Sequence, residues 1–238
     1  VEKLLSETPV DTLWIEYHPS IDPIDPDRFI ERIHELGTNI TCVPIVSDPE
    51  FLTRLSGLEP PIEALGLKGN EASGFVGAET TAMLFTTIRE YLKNLEKAPL
   101  LFIWGGIGTP EAAAAFLTSG AQGIVFESLH WLTDMVSVNR TQRQRLERVR
   151  FDHTTIVGQD LGVPCRVFSK GNSQAVKSLR EFMGSLCSGD IGLKQRAAFA
   201  ARVRQTAVSA LESPLDRQDL VLLGPEAAFA AGFSERFG

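Results

Sequence analysis

Two glycine turns, each at the end of an apolar strand, constrain this chain most. LGLKGNEASGFVG occupies residues 65–77 and LFIWGGIGTPEAAAAF residues 101–116. Each reads as a strand that runs into glycines and then into a helix. A third strand end follows in GIVFESLHWL, residues 123–132. In parallel α/β proteins ligands gather at this junction. Glycine lets the backbone come close, and a helix N-terminus offers free N–H groups and partial positive charge. Three such ends in succession point to an anionic cofactor held by a (β/α) barrel.

The surrounding elements alternate. TLWIEYH (12–18), NITCVPIV (39–46), EALGLKG (63–69), PLLFIWG (99–105) and GIVFE (123–127) are rich in strand formers. Between them, DRFIERIHEL (27–36) puts Phe29, Ile30, Ile33 and Leu36 on one helical face. Ser47 or Asp48 can cap a short helix that begins at Pro49. The segment 78–97 predicts a long helix with Met83, Leu84, Ile88, Tyr91, Leu92 and Leu95 facing inward. The segment 109–120 predicts another, capped by Thr109 with Pro110 in its first turn.

The strand starts lie about 25 to 35 residues apart, the size of a βα unit. Alternating units imply a parallel sheet covered by helices. A complete barrel takes about 250 residues, yet five units are spent by residue 127. The expected class is therefore α/β: a partial TIM (β/α) barrel, about strands 4–8, over residues 1–130, with a helical and hairpin extension over 131–238 packing on it. The chain begins at Val1 rather than Met, so it is expected to be excised from a longer protein.

In the extension, 131–150 reads as a helix bearing Arg140, Arg143, Arg145, Arg148 and Arg150. These form either an anion or partner patch or a solvated face. Residues 153–172 read as two short strands around a glycine turn. Amphipathic helices follow at 173–186 and 193–213, then an apolar tail, 223–238, that must dock somewhere.

Composition excludes several classes. The chain has 238 residues, 43% of them hydrophobic, and a net charge of −7. That charge argues against nucleic-acid binding. No apolar run approaches the roughly 20 residues a bilayer span needs, and the N-terminus lacks the pattern of a signal peptide. Cys42, Cys165 and Cys187 have no paired spacing. They read as reduced thiols in the cytoplasm, without a disulfide framework or metal site. His18, His34, His130 and His153 show no metal-ligand spacing and read as surface or packing residues.

In GGIGTPEA, Gly105 and Gly106 permit close backbone approach, and the helix amides beyond them would face a phosphate. The alternative is a tight turn and nothing more. In the other loop, Gly69, Gly74 and Gly77 surround Glu71 and Ser73. Lys68 ends the strand. It either points at a ligand, stabilising an anionic reduced cofactor or oxyanion, or pairs with Glu71. At the third strand end Ser128 could donate to phosphate, whereas Glu127 would repel one. His130 is either an acid–base group or core packing beside Trp131.

This order and spacing resembles the nitronate monooxygenase (2-nitropropane dioxygenase) family of FMN-dependent barrels, which includes flavin-type enoyl reductases. The family's Gln-Gly-x-Glu-Ala-Gly-Gly-His-x-Gly loop after its sixth strand is similar to Lys68–Gly77. Its Ala-Gly-Gly-Ile turn after strand seven is similar to Trp104-Gly105-Gly106-Ile107. Its Gly-Ala-Asp-Gly-Val segment and Gly-Thr phosphate turn are similar to Gly120–Ile124 and Glu127-Ser128. TTIVGQDLGVPCRVFSKGN is similar to a later family segment. The likeness covers about residues 12–172, and its style is that of domains embedded in polyketide and polyunsaturated-fatty-acid synthases.

The resemblance implies FMN, held by Lys68, Gly69, Ser73, Gly74, Gly105, Gly106, Ile107, Glu127 and Ser128, with Lys68 and Glu71 as catalytic candidates. It implies an oxidoreductase acting on a small or carrier-bound acyl substrate, with the remaining domains of a parent synthase as partners. The chain departs from the family at several points. Phe75 stands where the family has its basic histidine, Lys68 where it has glutamine, and Glu127 in the phosphate turn. The family's first three strands have no counterpart. These departures leave a second expectation open, a non-catalytic barrel-like domain that organises a synthase or binds a carrier protein.

Overall fold

The apolar runs become strands in a computed structural model of the chain, which describes residues 11–18, 21, 26–37, 40–55, 62–129, 144, 147–168, 173–212 and 222–232. In chain order the strands are β1 (Thr12–Glu16), β2 (Thr41–Val46), β3 (Ala64–Lys68), β4 (Gly74–Phe75), β5 (Leu100–Trp104), β6 (Gly123–Val125), β7 (Thr154–Val157) and β8 (Cys165–Phe168). The helices are α1 (Pro26–Gly37), α2 (Pro49–Leu55), α3 (Thr81–Leu92), α4 (Pro110–Thr118), α5 (Gln174–Leu186) and α6 (Leu193–Glu212).

Strands β1, β2, β3, β5 and β6 pair in that order, all parallel. This is the α/β, partial-barrel class that the alternation predicts. Register aligns the strand ends: Lys68 lies opposite Trp104, and Trp104 opposite Val125. The two glycine turns and the third strand end therefore sit on one rim.

One face of the sheet carries Val46, Leu65, Leu67, Leu101 and Ile103, buried against Phe51, Leu84, Phe85 and Ile88 of the helices. Helix α3 buries Thr81, Leu84, Phe85, Ile88 and Leu92. Met83, expected inward, is exposed. It lies one position off the stripe that Leu84, Ile88 and Leu92 set, and Phe85 fills the core in its place. The helix ends at Leu92, short of the expected 97, but Leu95 still packs on the core.

The other face is concave. Trp14 of β1 meets Phe102 of β5 edge to face, with ring centroids 5.3 Å apart. Three strand spacings separate these positions, about 14 Å in a flat sheet. Curvature brings the rings together over Gly66, where a β-carbon would lie 2.9 Å from the Trp14 ring. The sheet is thus bent as a barrel wall is bent.

A second, antiparallel sheet has the order β4-β8-β7. Strands β7 and β8 form the expected hairpin. β4 is unforeseen: it comes from the GNEASGFVG loop, with Gly74 opposite Arg166 and Phe75 opposite Cys165. Val157, Leu161, Val163, Cys165 and Val167 pack with Val176 and Leu179 of α5 and Phe199 and Val203 of α6. The tail docks through Leu223, Ala227 and Ala230 against Leu129 and Val149. His130, Arg140, Arg143 and Arg145 lie outside the described residues; Arg148 and Arg150 are exposed. No described helix is long and apolar enough to cross a membrane.

Candidate functional site

The rim formed by the ends of β3, β5 and β6 is crossed by short polar contacts. Lys68 is 3% exposed, and its Nζ donates to Glu16 Oε1 at 2.6 Å. The expected alternative partner was Glu71; the observed partner is Glu16, two strands away on the concave face. Lys68 Nζ also lies 5.1 Å from the centroid of the Trp104 ring, where the ring's electron density favours a cation. Lys68 is thus a held, buried charge on the rim.

Glu71 serves helix α3. Its Oε2 accepts from the Thr81 N–H and the Thr81 hydroxyl, both at 2.8 Å. A carboxylate there completes the unpaired amides of the first turn and opposes the positive end of the helix dipole. Thr80, the N-cap, accepts from Met83 N–H at 3.3 Å.

The two glycines of GGIG hold positive φ, 114° at Gly105 and 71° at Gly106. A β-carbon on Gly105 would lie 2.7 Å from the Ala72 nitrogen; one on Gly106 would lie 2.8 Å from the Glu71 β-carbon. Their close approach is therefore to the 71–72 segment. From the sequence a phosphate is the expected neighbour, whereas the packing requires glycine whether or not an anion is bound. Gly69 is equally confined, beside Thr81, and donates its N–H to Trp104 O at 3.0 Å. Ile107 is buried in the main core.

At Ser73 the rim already holds an anion. The Ser73 N–H donates to Glu127 Oε2 at 2.7 Å, and the Ser73 hydroxyl donates to Glu127 Oε1. At Ser128 it holds a second. The Ser128 N–H donates to Glu226 Oε1 at 3.2 Å, and Ser128 Oγ accepts from Gly224 N–H at 2.9 Å. Burial pushes the Glu226 carboxyl above the ordinary carboxylate range; hydrogen bonding from Ser128 opposes this, and the Glu127 charge adds to it. Glu226 comes from the docked tail, which the sequence left without a destination.

Arg166, on β8, escaped the sequence reading. Its Nε donates to Asn70 O at 2.7 Å and its Nη1 to Thr154 Oγ1 at 3.1 Å. Burial lowers its pKa, and the charges of Glu71 and Glu226 raise it. The signal was alternation: Cys165 and Val167 face the small core, so Arg166 faces the glycine loop. Its neighbour Cys165 is fully buried, and desolvation pushes its thiol up to about 12.

His18, read as a surface or packing residue, is buried at the end of β1. Its Nε2 lies 3.3 Å from Val76 O, and its ring meets the Phe75 ring edge-on at 6.3 Å. Phe75 also lies under the Arg204 guanidinium at 5.3 Å. His18 lines a cleft of about 490 Å³ together with Asp48, Asn70, Val76, Gly77 and Gln159. The signal for His18 was its place at a strand's C-terminal end.

The architecture has solved counterparts. FabK from Thermotoga maritima matches with a TM-score of 0.68 and 16% identity, over 97% of this chain and 65% of that one. The chain has that fold. The enoyl reductase domain of MlnA, from the macrolactin biosynthesis cluster of Bacillus amyloliquefaciens, matches with a TM-score of 0.68 and 15% identity, over 97% and 71%. Nitroalkane oxidase from Streptomyces ansochromogenes matches with a TM-score of 0.58 and 18% identity, over 98% and 64%. The resemblance carried by the glycine turns is borne out in the fold, and the chain spans about two thirds of the length of these neighbours. No family model and no curated protein matches it.

Proposed function

We propose that this chain is part of a flavin-dependent oxidoreductase barrel that reduces a carrier-bound acyl intermediate within a cytoplasmic polyketide or fatty-acid synthase. The observation that carries the reading is the shared fold with an enoyl reductase domain from a macrolactin cluster, on a chain whose glycine turns stand on the same rim. We place the boundary between barrel and extension near residue 130.

FMN is the cofactor this reading implies. The test of fit is the chemistry of the donors. Ser73 offers an N–H and an O–H, Ser128 offers an N–H, and both residues already hold carboxylates. Donors that seat carboxylates suit a phosphate in kind. Ser73, Gly74, Gly105, Gly106, Ile107 and Ser128 would hold the cofactor, with buried Lys68 as the nearby positive charge. Bound flavin supplies hydride transfer.

The residues of this chain supply position and a proton. The cleft beside β1 and β2 is of a size that takes a small ligand, and His18 on its wall is the proton-transfer group we assign. Glu71 positions α3 and the loop. Phe75 carries no proton and the His18 ring lies 6.3 Å from it, so the family's position lacks a base and nitronate oxidation is expected to be weak: a positioned base is worth about 10²–10⁴-fold.

A direct test mixes the chain with reduced FMN and a 2-enoyl pantetheine thioester under anaerobic conditions. The expected result is enoyl-dependent flavin oxidation that His18→Gln slows. No oxidation above the protein-free rate would remove the reading. A second reading, a non-catalytic organising domain, is favoured by one observation: amides at Ser73, Thr81 and Ser128 are already filled by the chain's own carboxylates.

A further inference from the structure

Glu127 stands in the turn that the family resemblance assigns to the cofactor phosphate, and it is joined to Ser73 by two hydrogen bonds that use both carboxylate oxygens. Ser73 is buried. Its N–H and O–H point at one anion and are both committed. We propose that Glu127 is a self-ligand of the cofactor site: its carboxylate occupies the Ser73 anion seat, so an external phosphate binds only by displacing it. The proposal rests on the flavin reading above and adds to it a residue that sets cofactor occupancy.

Three features support displacement over coexistence. The donor count is the first. Ser73 has one N–H and one hydroxyl hydrogen, and a phosphate gains neither while Glu127 holds them. Charge is the second: a phosphate beside Glu127, with Glu226 close by, meets like charge in a partly buried setting where repulsion is weakly screened. Covalent attachment is the third. Glu127 lies two residues past β6 and Ser73 in the loop between β3 and β4, so the contact links two rim loops 54 residues apart. The carboxylate is tethered at high effective concentration. Glu226 is seated separately, its Oε1 accepting from Ser128 N–H.

The test titrates the chain and its Glu127→Ala variant with FMN and with riboflavin, reading flavin fluorescence. A parallel titration with inorganic phosphate reads the Ser73 amide shift by NMR. Removing a charge-assisted pair at the seat is expected to tighten FMN binding about 10- to 100-fold while leaving riboflavin, which lacks the phosphate, unchanged. The Ser73 amide of the variant is expected to respond to inorganic phosphate at concentrations that leave the parent chain unaffected. Equal or weaker FMN affinity in Glu127→Ala, with the parent chain binding FMN well, overturns the self-ligand and spares the flavin reading. A Ser73 phosphate response in the variant, without flavin binding in either protein, supports the self-ligand and removes the flavin reading. No gain for either probe overturns the proposal. Glu127→Gln, which keeps the shape of the side chain, guards against misfolding and is expected to show a smaller gain of the same sign.

Discussion

Gly105 and Gly184 show what a single glycine can mean. Gly105 has φ of 114°, and a β-carbon there would lie 2.7 Å from the Ala72 nitrogen. Gly184 lies inside α5 with nothing within 4 Å of its would-be β-carbon. Gly105→Ala is expected to cost about 1–3 kcal/mol, and Gly184→Ala to gain about 0.5–1 kcal/mol; chemical denaturation of the two variants measures both. Glu226 gives a pH signature. Its folded carboxyl titrates above its unfolded value. In that window the folded protein keeps a proton that the unfolded chain has released. Stability from this group is full below the unfolded value, about 4.3, and falls as pH rises through the raised one. Glu226→Gln holds no such proton, so its stability is expected to fall less than the parent's as pH rises above about 4.3. Parallel profiles would contradict the assignment. The sequence showed that Gly105 and Lys68 were constrained, but not by what. Ala72 and Glu16 are distant neighbours that only the folded chain supplies.

Helix α3 and the loop before it act as one element, joined by Thr81. The Thr81 hydroxyl lies 2.8 Å from Glu71 Oε2 and 3.1 Å from Gly105 O, so it ties the helix cap to the β5 turn. Thr81→Val keeps the shape and removes the hydroxyl. It is expected to cost about 1–3 kcal/mol and to loosen the 69–74 loop, read as faster amide exchange at Ser73. Unchanged exchange would separate the loop from the cap. The strands and the cap at Thr109 were legible because their signals are local: apolar runs, and a hydroxyl three residues before the amide it accepts from. β4 was not legible. Two residues carry no periodicity, and its pairing with β8 spans about 90 residues of chain. Met83 misled because it is apolar at a position that the helical stripe leaves to solvent.

At the scale of the molecule, the helix-covered face of the sheet is closed and the concave face is partly open. Trp14 is 38% exposed, Leu100 49% and Phe126 50%, and β1 and β6 stand at the sheet's edges. Among the described residues no further strand pairs with these edges, and apolar surface beside open edges favours association. The 26.1-kDa chain is expected to sediment as oligomers; a monodisperse monomer with a sharp cooperative thermal transition would show that the concave face is satisfied within the chain. The shared fold explains the curvature and the common rim, on which Glu71, Glu127 and Glu226 are seated. The central claim is that the ends of β3, β5 and β6 form one seat for an anionic flavin. Mapping backbone amide shifts as FMN is added tests it most directly. Ser73, Gly105, Gly106 and Ser128 are expected to shift together along one binding curve. Shifts confined to other parts of the surface, or none at saturating FMN, would contradict it.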